Sequence, residues 1–198
     1  APFDEDYVVV SHDQDGTDNN MEVVFYEEDG TVKWSDSYDG GDEDCGVVLL
    51  CDDVNDFVYA IGTRKATATG QDLVVRKYAA ATGSLQWTTT WDAGNNHDEV
   101  PVDALLHNNE LYITGVANQG LWELTDNDLF TLKLAADGTI AWNYIYDFAG
   151  YGDDPIGIEK SGTHLFVVGS SYQNSSTRNI LLMKFSFTGG LPTTFREA

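Results

Sequence analysis

The sequence predicts an all-β protein assembled from a repeated four-stranded unit. Three observations make that prediction. Trp34, Trp87 and Trp142 lie 53 and 55 residues apart, and Gly30, Gly83 and Gly138 keep the same two spacings, as do Asp39, Asp92 and Asp147. A second glycine series, Gly62, Gly115 and Gly169, is spaced 53 and 54. Between these markers run segments of five to eight residues, rich in β-branched and aromatic types and bounded by Gly, Asn or Asp. That is strand chemistry, and no window carries a capped helical period. A period of this size, held by several residue types at once, identifies a repeat architecture.

The copy that starts at Asp44 shows the unit. Val47 to Cys51 is a short apolar run, followed by the polar turn Asp52 to Asp56. Phe57 to Ile61 is the second run and ends at Gly62. After a Thr/Gly-rich loop, Asp72 opens the third run, Leu73 to Tyr78, and a tight turn at Thr82-Gly83 leads into the fourth, Leu85 to Trp91. The later copies agree: Glu110 to Gly115 matches His164 to Gly169, and Asp128 to Leu134 matches Asn179 to Phe185. Four consecutive antiparallel strands in about 40–55 residues are the blade of a β-propeller. The expected blades are 1–39, 40–92, 93–147 and 148–198, in one domain. Two are complete and two partial. The first lacks its first strand unless Pro2-Phe3 fills the slot. The last has only Leu191 to Phe195 for its fourth, where Pro192 argues against a central strand. The terminal strands or a neighbouring subunit would then complete the blades.

A loop aspartate (Asp44), an aromatic-x-x-Gly strand (Tyr59 to Gly62), an Asp-Leu-x-x-x-Lys-Tyr strand (Asp72 to Tyr78) and Gly83-x-x-x-Trp87 follow one another. This order resembles the SBBP-type β-propeller repeats of secreted bacterial and archaeal proteins. The resemblance runs from Tyr7 to Phe187 and implies an extracytoplasmic scaffold or binding module. Such propellers are expected to have more blades than this chain can build. Thr82 to Trp87 also echoes the tryptophan-docking repeat of quinoprotein dehydrogenases, but Ala79 stands where that repeat has its aspartate. Gly-x-x-x-Trp is read as blade packing, with no quinone cofactor.

The chain has 198 residues, 42% of them hydrophobic, which is enough for a substantial core. No apolar run is long enough to span a bilayer. The Ala-Pro-Phe start reads as a processed terminus. Acidic residues number 33 against 10 basic, a net charge of −23. A phosphate backbone requires a Lys/Arg surface, so nucleic acid is excluded and anionic membranes are disfavoured. Cys45 and Cys51 share one predicted strand, about 20 Å apart at ~3.3 Å per residue, too far for a bridge on a regular strand.

The best local site is Asp13-Gln14-Asp15-Gly16-Thr17-Asp18, with Glu22 nearby. Hard oxygen donors around a glycine turn suit Ca²⁺. A plain Asp/Gly turn fits the same residues, and calcium at Asp13, Asp15, Asp18 and Glu22 is the expectation to test. Asn174-Ser175-Ser176 is a glycosylation sequon. His97-Asp98-Glu99 lies in a loop that every copy carries, and no nucleophile elbow or phosphate loop occurs. No enzyme and no required cofactor are expected. The expected function is an extracellular structural protein that associates with itself as a filament or surface-layer subunit. Leu191 and Phe195 of the tail would be the contact. The alternative is a secreted glycan- or ligand-binding propeller using loop aromatics such as Trp122, Tyr151 and Tyr172.

Overall fold

The structure, a computed structural model, describes residues 2–3, 6–15, 18–65, 70–94, 98–118 and 127–197; side chains are described over 6–12, 19–65, 70–94, 98–117 and 127–197. The described residues form sixteen strands in four antiparallel sheets. The first holds β1 (Pro2–Phe3), β2 (Asp6–Asp15), β3 (Asp18–Tyr26) and β4 (Val32–Tyr38). The second holds β5 (Asp44–Asp52), β6 (Phe57–Lys65), β7 (Gln71–Ala79) and β8 (Leu85–Trp91). The third holds β9 (Asp98–His107), β10 (Glu110–Asn118), β11 (Asn127–Leu134) and β12 (Ile140–Tyr146). The fourth holds β13 (Asp153–Ser161), β14 (His164–Asn174), β15 (Thr177–Ser186) and β16 (Thr193–Glu197). No helix occurs among the described residues.

Each sheet uses consecutive strands in chain order. The two slots expected to be incomplete are both filled from within the chain. Pro2–Phe3 pairs with Phe3↔Asp6 and Pro2↔Tyr7, and β16 pairs with β15 from Lys184↔Thr193 to Ile180↔Glu197. Pro192 stands just before β16, so its missing N–H removes nothing from the ladder.

The second glycine series marks a bulge. The first and second strands slip register at Gly46/Val48, Thr114/Gly115 and Pro155/Gly157. A Cβ on Gly62 would lie 1.9 Å from the Cys45 carbonyl oxygen, on Gly115 2.3 Å from that of Val100, and on Gly169 2.4 Å from that of Asp154. Only a residue without a side chain lets the strands approach that closely at a bulge.

The chain divides into two compact units, Ala1–Asn96 and His97–Ala198, each of two sheets. In the first, Val8, Met21, Val23 and Phe25 of β2 and β3 pack on Val58, Ala60, Val74 and Tyr78 of β6 and β7. In the second, Tyr112 and Leu129 of β10 and β11 pack on Leu165, Val167, Leu181, Met183 and Phe185 of β14 and β15. Strand alternation gives every sheet two faces, and the repeat uses them consistently. A leading face (Val8, Tyr112) meets the trailing face of the following sheet (Val58 and Ala60; Leu165 and Val167).

The tryptophans sit at equivalent register, in Phe25↔Trp34, Lys77↔Trp87 and Lys133↔Trp142, each beside a bulge. All three are half-buried, because each lies on the outermost strand of its sheet. Trp34 stacks on Tyr78 at 5.6 Å and Trp142 on Phe185 at 5.7 Å, so each indole bridges to the third strand of the following sheet. Gly83 and Gly189, at φ +70 and +89, turn tightly beneath those indoles, where a Cβ would come within 2.7 and 2.8 Å of the ring.

Candidate functional site

Of the expected calcium residues, Asp13, Asp15 and Asp18 lie in the β2–β3 hairpin, where Asp15 pairs with Asp18; their side chains are outside the described residues. Glu22 pairs with Ser11, about 13 Å along the strand from Asp18 at ~3.3 Å per residue. Asn174 closes the β14–β15 hairpin. Its Oδ1 accepts hydrogen bonds from the Ser176 and Thr177 amides at 3.0 and 2.9 Å, and Ser175 and Ser176 are exposed. His97 and Trp122 lie outside the described residues, while Tyr151 and Tyr172 are half-buried.

A convergence that the sequence reading did not assemble lies in the second unit, where the loop after β12 enters β13. Asp128, Asp147 and Asp153 each bring one carboxylate oxygen within 4.8 Å of the others'. Asp128 and Asp153 are buried and Asp147 is exposed. The loop explains part of the arrangement: Asp153 Oδ2 accepts the Phe148 amide at 2.7 Å, and Asp147 Oδ1 accepts the Gly150 amide at 3.0 Å. Asp153 Oδ1 is buried and makes no hydrogen bond. Across the ladder from Asp153 stands Ser171, fully buried. Its hydroxyl sits close enough to favour the Asp153 carboxylate, yet it lacks the geometry of a hydrogen bond. Burial pushes the Asp153 carboxyl up to about 6, and the charges of Asp128 and Asp147 add to that shift; Ser171 and the Phe148 amide oppose it.

The first unit repeats the corner. Asp44 opens β5, is fully buried, and accepts the Gly40 amide on Oδ2, while its Oδ1 is buried and makes no hydrogen bond. Asp39 accepts the Gly41 amide at 3.2 Å. Where the second unit has Asp128, this one has Asn20, whose Oδ1 is also buried without a partner. A bridge between Asn19 and Glu43 joins β3 to the start of β5 there. Burial raises the Asp44 pKa and Asp39 adds to it; the Gly40 and Lys65 amides and Arg64 oppose the shift. The signal was legible in part: Asp39, Asp92 and Asp147 are repeat markers, but a marker does not reveal which other acids fold toward it.

The structure also brings together His12 and Cys45, 33 residues apart, with Nδ1 at 3.5 Å from Sγ. Burial raises the Cys45 thiol pKa, so the protonated form is favoured and the pair is not an activated nucleophile. Cys45 and Cys51 are both free.

Among the described residues, two sheet faces carry exposed apolar side chains. On the fourth sheet the leading face carries Val168 and Ile180, 42% and 67% exposed, with Phe166 and Leu182 beside them. Phe195 of β16 pairs with Leu182 and joins this face, 52% exposed. On the first sheet the trailing face carries Tyr7 and Val9, 56% and 46% exposed, with Val24 and Tyr26 half-buried.

No family model matches the chain, and no curated protein matches it. Solved structures do. The chain superposes on a subtype N10 neuraminidase-like protein of A/little yellow-shouldered bat/Guatemala/060/2010 with a TM-score of 0.54 and 10% identity, covering 90% of this chain and 50% of that one. It superposes on an apocarotenoid oxygenase of Synechocystis with a TM-score of 0.53 and 8% identity, covering 96% of this chain and 46% of that one. The fold is that of β-propeller blades. The chain spans about half the length of both structures. At such identities the likeness concerns the fold and carries no activity with it.

Proposed function

We propose that this propeller chain is a non-enzymatic extracellular scaffold of the SBBP-repeat type that associates with a second copy of itself, leading face to trailing face. The observation that carries the reading is the pair of open faces. Inside each unit a leading face packs on a trailing face, while the trailing face of the first sheet and the leading face of the fourth carry exposed apolar side chains. A second copy offers the matching partner for both. Two copies also have about the length of one of the propellers the chain resembles. The tail takes part as a face and not as a donated strand: β16 completes its own sheet and adds Phe195 to the apolar patch. Association of unlike faces is heterologous, closing into a ring or running on as a filament according to the rotation between copies.

The extracellular assignment rests on the strongly acidic surface and the Asn174 hairpin. The absence of enzymatic activity rests on the raised Cys45 thiol and on a sequence without a nucleophile–base motif. Size-exclusion chromatography with light scattering tests the association. The expected mass is a multiple of 21.8 kDa. The expected effect of Ile180→Asp with Phe195→Ser is conversion to monomer with an unchanged far-ultraviolet circular dichroism spectrum. A monomeric mass for the intact chain at about 100 μM, well above the Kd of a roughly micromolar contact, overturns the reading.

A further inference from the structure

We infer that the corner formed by Asp128, Asp147 and Asp153 is a divalent-cation site, with calcium its fitting occupant. The inference stands whether or not the chain associates with itself, and it uses none of the residues of the Asp13–Asp18 hairpin.

Three carboxylate oxygens within 4.8 Å of one another match the spread of donors around one ion, since oxygens on opposite sides of Ca²⁺ at about 2.4 Å lie about 4.8 Å apart. Proximity alone is what any acidic surface produces, but two further observations point to a ligand. Asp153 Oδ1 is fully buried and makes no hydrogen bond, although Oδ2 of the same group holds the Phe148 amide. Buried carboxylate oxygens are costly without a partner. Ser171 Oγ is the second: buried, beside the same carboxylate, and without a hydrogen bond of its own. That supplies a neutral hard oxygen of the kind calcium takes alongside carboxylates.

The cation nearby does not fill the role. Arg196 stacks on the Phe148 ring at 3.3 Å, and its Nε and Nη2 are buried without a hydrogen-bond partner. The first unit repeats the corner with Asn20 in place of Asp128, one negative charge fewer. Calcium affinity rises with the number of charged ligands, so the second-unit corner is the stronger site.

The test uses the intact chain, stripped with a chelator and titrated with calcium chloride by calorimetry and by thermal melting. Calcium is expected to raise the melting temperature by several degrees through preferential binding to the folded state. Asp147→Asn keeps an oxygen for the Gly150 amide, so its cation-free melting temperature is expected to stay near that of the parent. Its calcium affinity is expected to fall by about tenfold or more, as loss of a charged ligand demands. Ser171→Ala is a second variant, expected to weaken binding less. Terbium bound at the corner is expected to emit on excitation of the neighbouring Tyr146, and Tyr146→Phe to dim it. Asp15→Asn is expected to leave all of this unchanged. Three results overturn the inference: no heat and no melting shift with calcium; affinity unaltered in both Asp147→Asn and Ser171→Ala; or binding lost in Asp15→Asn and kept in Asp147→Asn, which would place the ion in the hairpin.

Discussion

The two units solve one packing problem with the same apolar parts and different polar ones. In both, an indole on the fourth strand of one sheet stacks on the third-strand aromatic of the next: Trp34 on Tyr78, Trp142 on Phe185. In the first unit the joint is then locked by charge. Asp36 of β4 accepts the Tyr78 hydroxyl at 2.8 Å and pairs with Arg76 at 2.9 Å, and the Arg76 guanidinium lies over the Tyr38 ring at 4.6 Å. In the second unit the lock runs to backbone groups. Lys133 Nζ donates to the Phe187 carbonyl at 2.9 Å while pairing with Glu110 at 2.7 Å, and Asp103 Oδ2 accepts the Ile158 amide at 2.9 Å. The repeat therefore fixes the hydrophobic contact, and each joint finds its own polar satisfaction.

The largest expected effect tests the shared part. Trp34→Ala and Trp142→Ala should each cost about 3–5 kcal/mol in urea or thermal unfolding, as large-to-small changes beneath packed aromatics. The first should cost about 1 kcal/mol more, because Trp34 Nε1 donates to the Ala80 carbonyl at 2.7 Å whereas Trp142 Nε1 is buried without a partner. Equal costs would mean that the indole hydrogen bond adds nothing to the first joint.

A smaller effect separates the polar locks. Asp36→Ala leaves the buried Arg76 without its carboxylate and should destabilise by about 2 kcal/mol, discounted from the cost of a fully buried pair because Asp36 is 35% exposed. Added salt should shrink the difference between Asp36→Ala and the parent. Asp103→Asn keeps an acceptor for the Ile158 amide, and its cost should be smaller and less sensitive to salt. Matching salt responses would erase the distinction between the joints.

The smallest effect concerns tyrosines. Burial, with the charge of Asp52 adding to it, pushes the Tyr59 hydroxyl up to about 12. Burial raises Tyr78 and Tyr112 too; the hydroxyls donate to Asp36 and Glu110, and those acceptors act in the same direction. The folded state keeps these protons above the point, near 10, where the unfolded chain loses them. Their contribution is whole below pH 10 and is lost as pH rises from 10 toward 12. Tyr59 Oη is buried without a partner, so Tyr59→Phe should change neutral stability by less than about 0.5 kcal/mol and move the alkaline midpoint upward. Tyrosine absorbance at alkaline pH, followed together with circular dichroism, checks this. Ionisation of the parent well before unfolding would contradict it.

The sequence made the fold legible because its markers are backbone requirements. Gly62, Gly115 and Gly169 recur because a bulge leaves no room for Cβ, and Trp34 and Trp142 recur because each bridges from an outer strand to the next sheet of its unit. The terminal slots were harder to read. Pro2–Phe3 is too short to show alternation, and Pro192 looked like a strand breaker although it stands before β16. The buried acid corner escaped for another reason. Asp128, Asp147 and Asp153 lie on a strand, a loop and the next strand, and in a chain with 33 acidic residues only folding distinguishes acids that converge from those that do not. The His12–Cys45 contact has no marker at all, being a meeting of two sheets at residues the repeat does not share.

One feature of the topology reaches beyond stability. Among the described residues no sheet borrows a strand from the opposite end of the chain: each is four consecutive strands, and β16 completes its own sheet. Many ring-shaped folds tie first and last segments together, which fixes the copy number at birth. Here a blade's worth of coding sequence can be duplicated or deleted without orphaning a strand elsewhere. Each unit builds its core from two consecutive sheets and needs no strand from elsewhere in the chain to do so. The strand content of each sheet is thus independent of how many sheets the chain carries.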